Sequence, residues 1–110
     1  MEKKVHFSLL LGFYGPLLTE RQREAMELYC AEDYSLSEIA EQKNITRQGV
    51  RDALVRAEQV LESTEQKLGL AERYMTLREG LEEICVSLQK QGNTLETQRI
   101  HALLAAWEGE

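Results

Sequence analysis

The sequence predicts an all-α protein organised around a helix-turn-helix, followed by a C-terminal helical extension. Three observations predict it. Val50, Leu54, Ala57, Leu61, Thr64 and Leu68 recur at 4-3-4-3-4 spacing, as do Leu70, Tyr74, Leu77, Leu81, Ile84 and Leu88. At a helical step, the first set falls within an arc roughly 80° wide, which is a helix seam and not a strand. Thr19 to Gln22 and Ser35 to Glu38 each have the form of a capping box, in which the hydroxyl and the N3 side chain satisfy two free N–H groups. Finally, residues 36–55 place small and apolar residues where two short crossing helices need them.

Each element follows in order. Lys3 to Tyr14 carries Val5, Phe7, Leu9, Leu10, Phe13 and Tyr14 and reads as a first helix. Gly15-Pro16 is expected to end it, because a residue before proline is pushed out of the α region. A second helix opens at the Thr19 cap and runs to about Ala31, with Ala25, Met26, Leu28 and Tyr29 available for burial. Ser35 opens a third, to Gln42 or Lys43, and Thr46 caps a long fourth helix that Gly69 stops. The second seam fills a fifth helix, in which Gly80 costs about 1 kcal/mol relative to alanine and could permit a bend. Gln91-Gly92-Asn93 breaks it, and Asn93 with Glu96 can cap a last helix bearing Leu95, Ile100, Leu103, Leu104 and Trp107. The organisation expected is a helix-turn-helix domain over residues 1–69, with its motif at 36–55, and a helical extension over 70–110 that serves packing or dimerisation.

Composition bounds the function. A chain of 110 residues with 43% hydrophobic content can bury one core. Its apolar runs, such as Leu9-Leu10-Leu11, are far too short to span a bilayer, and no signal-peptide cleavage site follows the N-terminus, so the chain is expected to be cytoplasmic. Cys30 and Cys85 lie far apart in helical patterns and are expected to act as small buried hydrophobes. The formal net charge of −6 argues against indiscriminate nucleic-acid binding. Its distribution says more. Between Lys43 and Ala57 stand Lys43, Arg47, Arg51 and Arg56 against Asp52 alone, while Glu58 to Glu110 holds ten acids against five bases.

The segment LSEIAEQKNITRQGVRDALV, from Leu36 to Val55, carries the functional reading. Ala40 is the small residue at the helix crossing, and Ile39, Ile45, Val50, Ala53 and Leu54 complete the motif's core. Asn44 tolerates the left-handed turn between the helices. Burial of Val50, Ala53 and Leu54 leaves Gln48, Arg51, Asp52 and Val55 outward, with Arg47 on the flank. In a helix-turn-helix this face enters the major groove. Lys43, Arg47, Gln48 and Arg51 are therefore the candidate nucleic-acid contacts, since arginine and glutamine can read base edges or grip phosphates.

These residues also carry a resemblance: from Leu18 to Leu61 the chain looks like sigma-factor region 4, from its leading helix to its recognition helix, which implies a sigma-region-4-like helix-turn-helix bundle. The FYG-x-LLT opening at Phe13–Thr19, the acidic run Glu32-Asp33-Tyr34-Ser35-Leu36, the TRQGV segment at Thr46–Val50 and the stretch Glu65 to Leu70 resemble the YlxM family of Gram-positive bacteria. The likeness covers roughly the first two thirds of the chain, and beyond about Tyr74 it implies only helicity. Gly49 and Arg51 stand where that family commonly has alanine and tyrosine. The resemblance implies an accessory or regulator of the signal recognition particle pathway, with the particle's RNA or its GTPase as partner. Two other readings are a DNA-binding transcription regulator and a protein-interaction scaffold whose helix-turn-helix is vestigial.

No enzyme, metal site or cofactor is expected. His6 and His101 are isolated in sequence, Ser35 and Ser37 lack a histidine partner, and Glu58, Glu62, Glu65 and Glu82-Glu83 are spaced like solvated helix faces. Gly12 and Gly15 form no phosphate loop. Trp107 is expected to be a packing anchor. Two narrow seams in so short a chain lead to the expectation of a homodimer or higher oligomer.

Overall fold

Local capping chemistry starts the helices where the sequence places them. In the computed structural model, which describes residues 2–109, the Thr19 hydroxyl accepts from the Gln22 N–H at 3.2 Å while Gln22 Oε1 accepts from the Thr19 N–H at 3.1 Å. Ser35 and Glu38 repeat the arrangement at 3.1 and 3.0 Å, and Thr46 Oγ1 accepts from the Gly49 N–H at 2.9 Å. The carboxyl of Glu38 is held below its ordinary range by its hydrogen bonds to Ser35. The described residues form α1 (Lys3–Tyr14), α2 (Glu20–Met26), α3 (Leu36–Lys43), α4 (Arg47–Leu68), α5 (Leu70–Lys90) and α6 (Thr94–Glu108), with no strand among them.

Two departures from expectation lie between these helices. Gly15 keeps right-handed helical angles ahead of Pro16, and the chain leaves α1 through a 3-10 turn, Gly15–Leu17. The clash that excludes this conformation before proline involves a Cβ, which glycine lacks. The second predicted helix also does not stay α to its end. Residues Glu27–Ala31 widen into a π turn, closed by Asp33 at φ 59° and by the Tyr34 N–H bonding to the Leu28 carbonyl at 2.9 Å. Leu28, Tyr29 and Cys30 are thereby packed against the core beside α1, and the Lys4 ammonium lies over the Tyr29 ring.

The described chain divides into two compact units between Ala71 and Glu72. The first is built on α4. Val50, Ala53, Leu54, Ala57 and Leu61 form one buried stripe, joined by Phe7, Leu10 and Tyr14 of α1, Ala25 and Met26 of α2, and Ile39 and Ala40 of α3. Ile45 packs on this core half-buried. The stripe stops short of its sequence pattern, since Leu68 is 48% exposed. Glu58, Glu62 and Glu65 are not a solvated face: they meet Lys3, His6 and Tyr14 of α1 in turn. Tyr14 donates to Glu65 at 2.6 Å and accepts from the Leu70 N–H at 3.2 Å, while Glu65 also takes the Ala71 N–H at 3.1 Å. Those two amides are first-turn donors of α5 that would otherwise lack partners. Burial, and then the Glu65 hydrogen bond, raise the Tyr14 hydroxyl above its ordinary pKa.

The second unit is the rest of α5 with α6. Cys85, Thr97 and Leu104 are buried in it. Thr97 Oγ1 donates toward the Asn93 carbonyl at 3.3 Å, but the Asn93 side chain does not cap α6 and instead reaches Gln91. Gly80 leaves α5 a continuous helix. The α5 seam is divided: Tyr74, Leu81 and Leu88 are half-buried, while Leu70, Leu77 and Ile84 are exposed, the last two at 59% and 50%. Trp107, at 68% exposure, is not a packing anchor within the described residues. Burial raises the thiols of both Cys30 and Cys85, although Cys30 is only half-buried.

The packing makes a sharp prediction. Ala40→Glu puts a carboxylate into the α3–α4 contact and should cost at least about 2 kcal/mol. Glu41→Ala changes an exposed neighbour and should leave stability nearly unchanged. Thermal melts giving both variants the same midpoint would refute this helix register.

Candidate nucleic-acid interface

The interface is set by the turn between α3 and α4. Asn44 adopts left-handed angles, φ 55° and ψ 47°, and the Ile45 N–H bonds back to the Ala40 carbonyl at 3.0 Å. This six-residue closure ends α3 sharply. Thr46 then starts α4 three residues on, and Ile39, Ala40, Val50, Ala53 and Leu54 are buried at the corner.

With that stripe inward, Gln48, Arg51, Asp52 and Val55 face outward, as the sequence expects, and Arg47 is exposed on the flank. Gln48 Nε2 donates to Asp52 Oδ1 at 2.9 Å, so the two polar groups at the centre of the face hold each other. Lys43 stands apart from the other candidates. Its ammonium lies 2.6 Å from Glu24 Oε2 on α2, and the pair holds the Glu24 carboxyl below its usual range. Lys43 therefore ties α2 to the end of α3.

Sequence reasoning did not single out Arg21. It is exposed at the start of α2, and its guanidinium reaches α4 so closely that a Cβ added at Gly49 would lie 3.3 Å from its Nη2. Arg21 and Arg56 line a groove of about 350 Å³ with Thr19, Gln22, Gly49, Asp52 and Ala53. Glycine at position 49 is the only local trace of this contact in the sequence. Arg21, Arg47, Arg51 and Arg56 are all exposed, and none of the ion pairs among the described residues engages them.

Elsewhere the chemistry is sparse. His6 and His101 are not isolated in space, since they pair with Glu62 and Glu82. Among the described residues no three His, Cys, Asp or Glu side chains gather as a metal set, and no helix is long and apolar enough to cross a membrane.

A short α3 crossing the start of the long α4 at Ala40, a left-handed turn at Asn44 and an outward α4 face bearing arginines define a helix-turn-helix protein. The comparisons place it further. A family model described as "UPF0122: Putative helix-turn-helix protein, YlxM / p13 like" matches residues 1–102, and the chain belongs to that family. It is 52% identical over 83 residues to a UPF0122 protein of Desulforamulus reducens, covering 74% of this chain and 71% of the relative. A UPF0122 protein of Lactococcus lactis subsp. cremoris is 49% identical over 84 residues, 76% of each chain. One from Acetivibrio thermocellus is 51% identical over 75 residues, 68% of this chain and 64% of its own.

Gly49 offers a test of the interface geometry. Its added Cβ would meet Thr46 Oγ1 at 3.2 Å and the flexible end of Arg21 at 3.3 Å, so both neighbours must give by a few tenths of an ångström. Gly49→Ala should therefore raise stability by about 0.5–1 kcal/mol through helix propensity while displacing Arg21. Chemical denaturation showing a clear loss would mean that Arg21 is locked in place.

Proposed function

We propose that this protein works by binding nucleic acid, not by catalysis, and that it seats the outward face of α4 in the major groove of duplex DNA. The observation that carries the reading is the pair Arg47 and Arg51, exposed on the flank of a helix whose inner side is the core and in no ion pair among the described residues. The α4 N-terminus adds its own attraction for phosphate. The acidity of the chain is compatible with this, because Glu58, Glu62 and Glu65 turn toward α1. Duplex RNA suits the face less well, since the A-form major groove is too narrow for a helix.

A second reading rests on family membership. As a YlxM-like protein, the chain would be a cytoplasmic accessory or regulator of the signal recognition particle pathway, using the same face on the particle's RNA or GTPase. Titration against that RNA, that GTPase and random duplex DNA at two salt concentrations separates the readings. Under the DNA reading, Arg47→Ala with Arg51→Ala weakens duplex binding and Asp52→Asn strengthens it. GTPase binding that ignores all three changes, with no duplex binding at any salt, would overturn it.

Self-association belongs to the same proposal. Leu70, Leu77 and Ile84 expose a seven-residue repeat along α5, the spacing of a coiled-coil seam, and a two-fold pair would suit a helix-turn-helix. A homodimer is expected in sedimentation at tens of micromolar, and Leu77→Glu with Ile84→Glu should render it monomeric. Sedimentation of the unaltered chain as monomer alone would refute the seam as a contact between copies.

A further inference from the structure

The free cations of the first unit are not confined to the flank that carries Arg47 and Arg51. At a helical step of about 100° per residue, the α4 core stripe is centred near Val50, Leu54, Ala57 and Leu61, and Gln48, Asp52 and Val55 lie opposite it. Arg47 and Arg51 fall on one side of that outward midline. Gly49 and Arg56 fall on the other, where Arg21 leans across from α2 onto Gly49. The cationic face therefore has two edges with the hydrogen-bonded pair Gln48 and Asp52 between them.

We propose that Arg21 and Arg56 form a second phosphate-gripping edge, so that α4 is bracketed by both strands of a B-form DNA duplex. This rests on the nucleic-acid reading above and specifies its ligand. An α-helix with its side chains is about 10–12 Å across, and the major groove of B-DNA is about 12 Å wide between two phosphate walls. A helix seated there meets one strand on each flank, and cations on both flanks match that arrangement. A single strand or a flat anionic surface would call on one edge only.

Binding of the full chain to a random-sequence DNA duplex, measured across a range of salt, tests the second edge. The variants are Arg21→Ala with Arg56→Ala, Arg47→Ala with Arg51→Ala, and all four together. Each double variant should flatten the slope of log affinity against log salt by about 1.8, at roughly 0.9 per phosphate contact, and the fourfold variant by about twice that. Arg21→Lys with Arg56→Lys should restore most of the slope, because lysine still grips phosphate as a point charge; failure to restore it would assign the loss to altered packing and overturn the proposal. A slope that falls for Arg47 and Arg51 but not for Arg21 and Arg56 means one-edged contact, and the proposal fails while the nucleic-acid reading stands. A slope unmoved by any of the four removes both.

Discussion

Burial of a single stripe of α4 governs the rest of this molecule. Val50, Ala53, Leu54, Ala57 and Leu61 are drawn from one side of the helix, so the direction of every other α4 residue is fixed by their burial. The corner with α3 follows, since Ile39 and Ala40 can close on that stripe only if the chain reverses within Asn44, Ile45 and Thr46. The placement of the arginines follows too. Nothing local orients Arg47, Arg51 or Arg56, which owe their exposure to the apolar residues beside them.

The same helix sorts the acids from the bases along its length. Its first half presents arginines to solvent, and its second half turns carboxylates toward α1. The outermost of these pairs, Lys3 with Glu58, stabilises little by itself because water and salt screen the exposed lysine. Tyr14 and Glu65 are different, since each satisfies a backbone N–H at the start of α5 as well as the other. Loss of either leaves a donor without its partner, which costs more than the bond itself contributes. An overall charge of −6 is therefore a poor guide to the α4 surface, because much of the acidity is engaged elsewhere.

What could be read from the sequence was local. The starts of α2 and α3 are encoded in a cap and the residue three positions on, that of α4 in the Thr46 cap alone, and all three stand where expected. The left-handed Asn44 and the α4 stripe were legible for the same reason. The π turn at Glu27–Ala31 was not, because it answers to the packing of Tyr29 and Cys30 beside α1. Periodicity announced the α5 seam without saying whether this chain or a second copy covers it, and Leu77 and Ile84 stand exposed. At the candidate interface, Arg47, Gln48 and Arg51 could be found from the helix register alone. The engagement of Lys43 by Glu24 and the reach of Arg21 to Gly49 join residues that are distant in sequence and carry no local mark.

The position of Trp107 bears on how this protein can be observed. It is the sole tryptophan in the chain, and it stands exposed on α6, outside the unit that holds the helix-turn-helix. Its emission therefore reports the surroundings of α6, red-shifted while water bathes the indole and blue-shifted once something shields it. The α4 core holds no indole of its own, so its melting is followed by backbone dichroism or by Tyr14. An optical assay built on the indole thus watches α6, while α4 must be watched through its backbone.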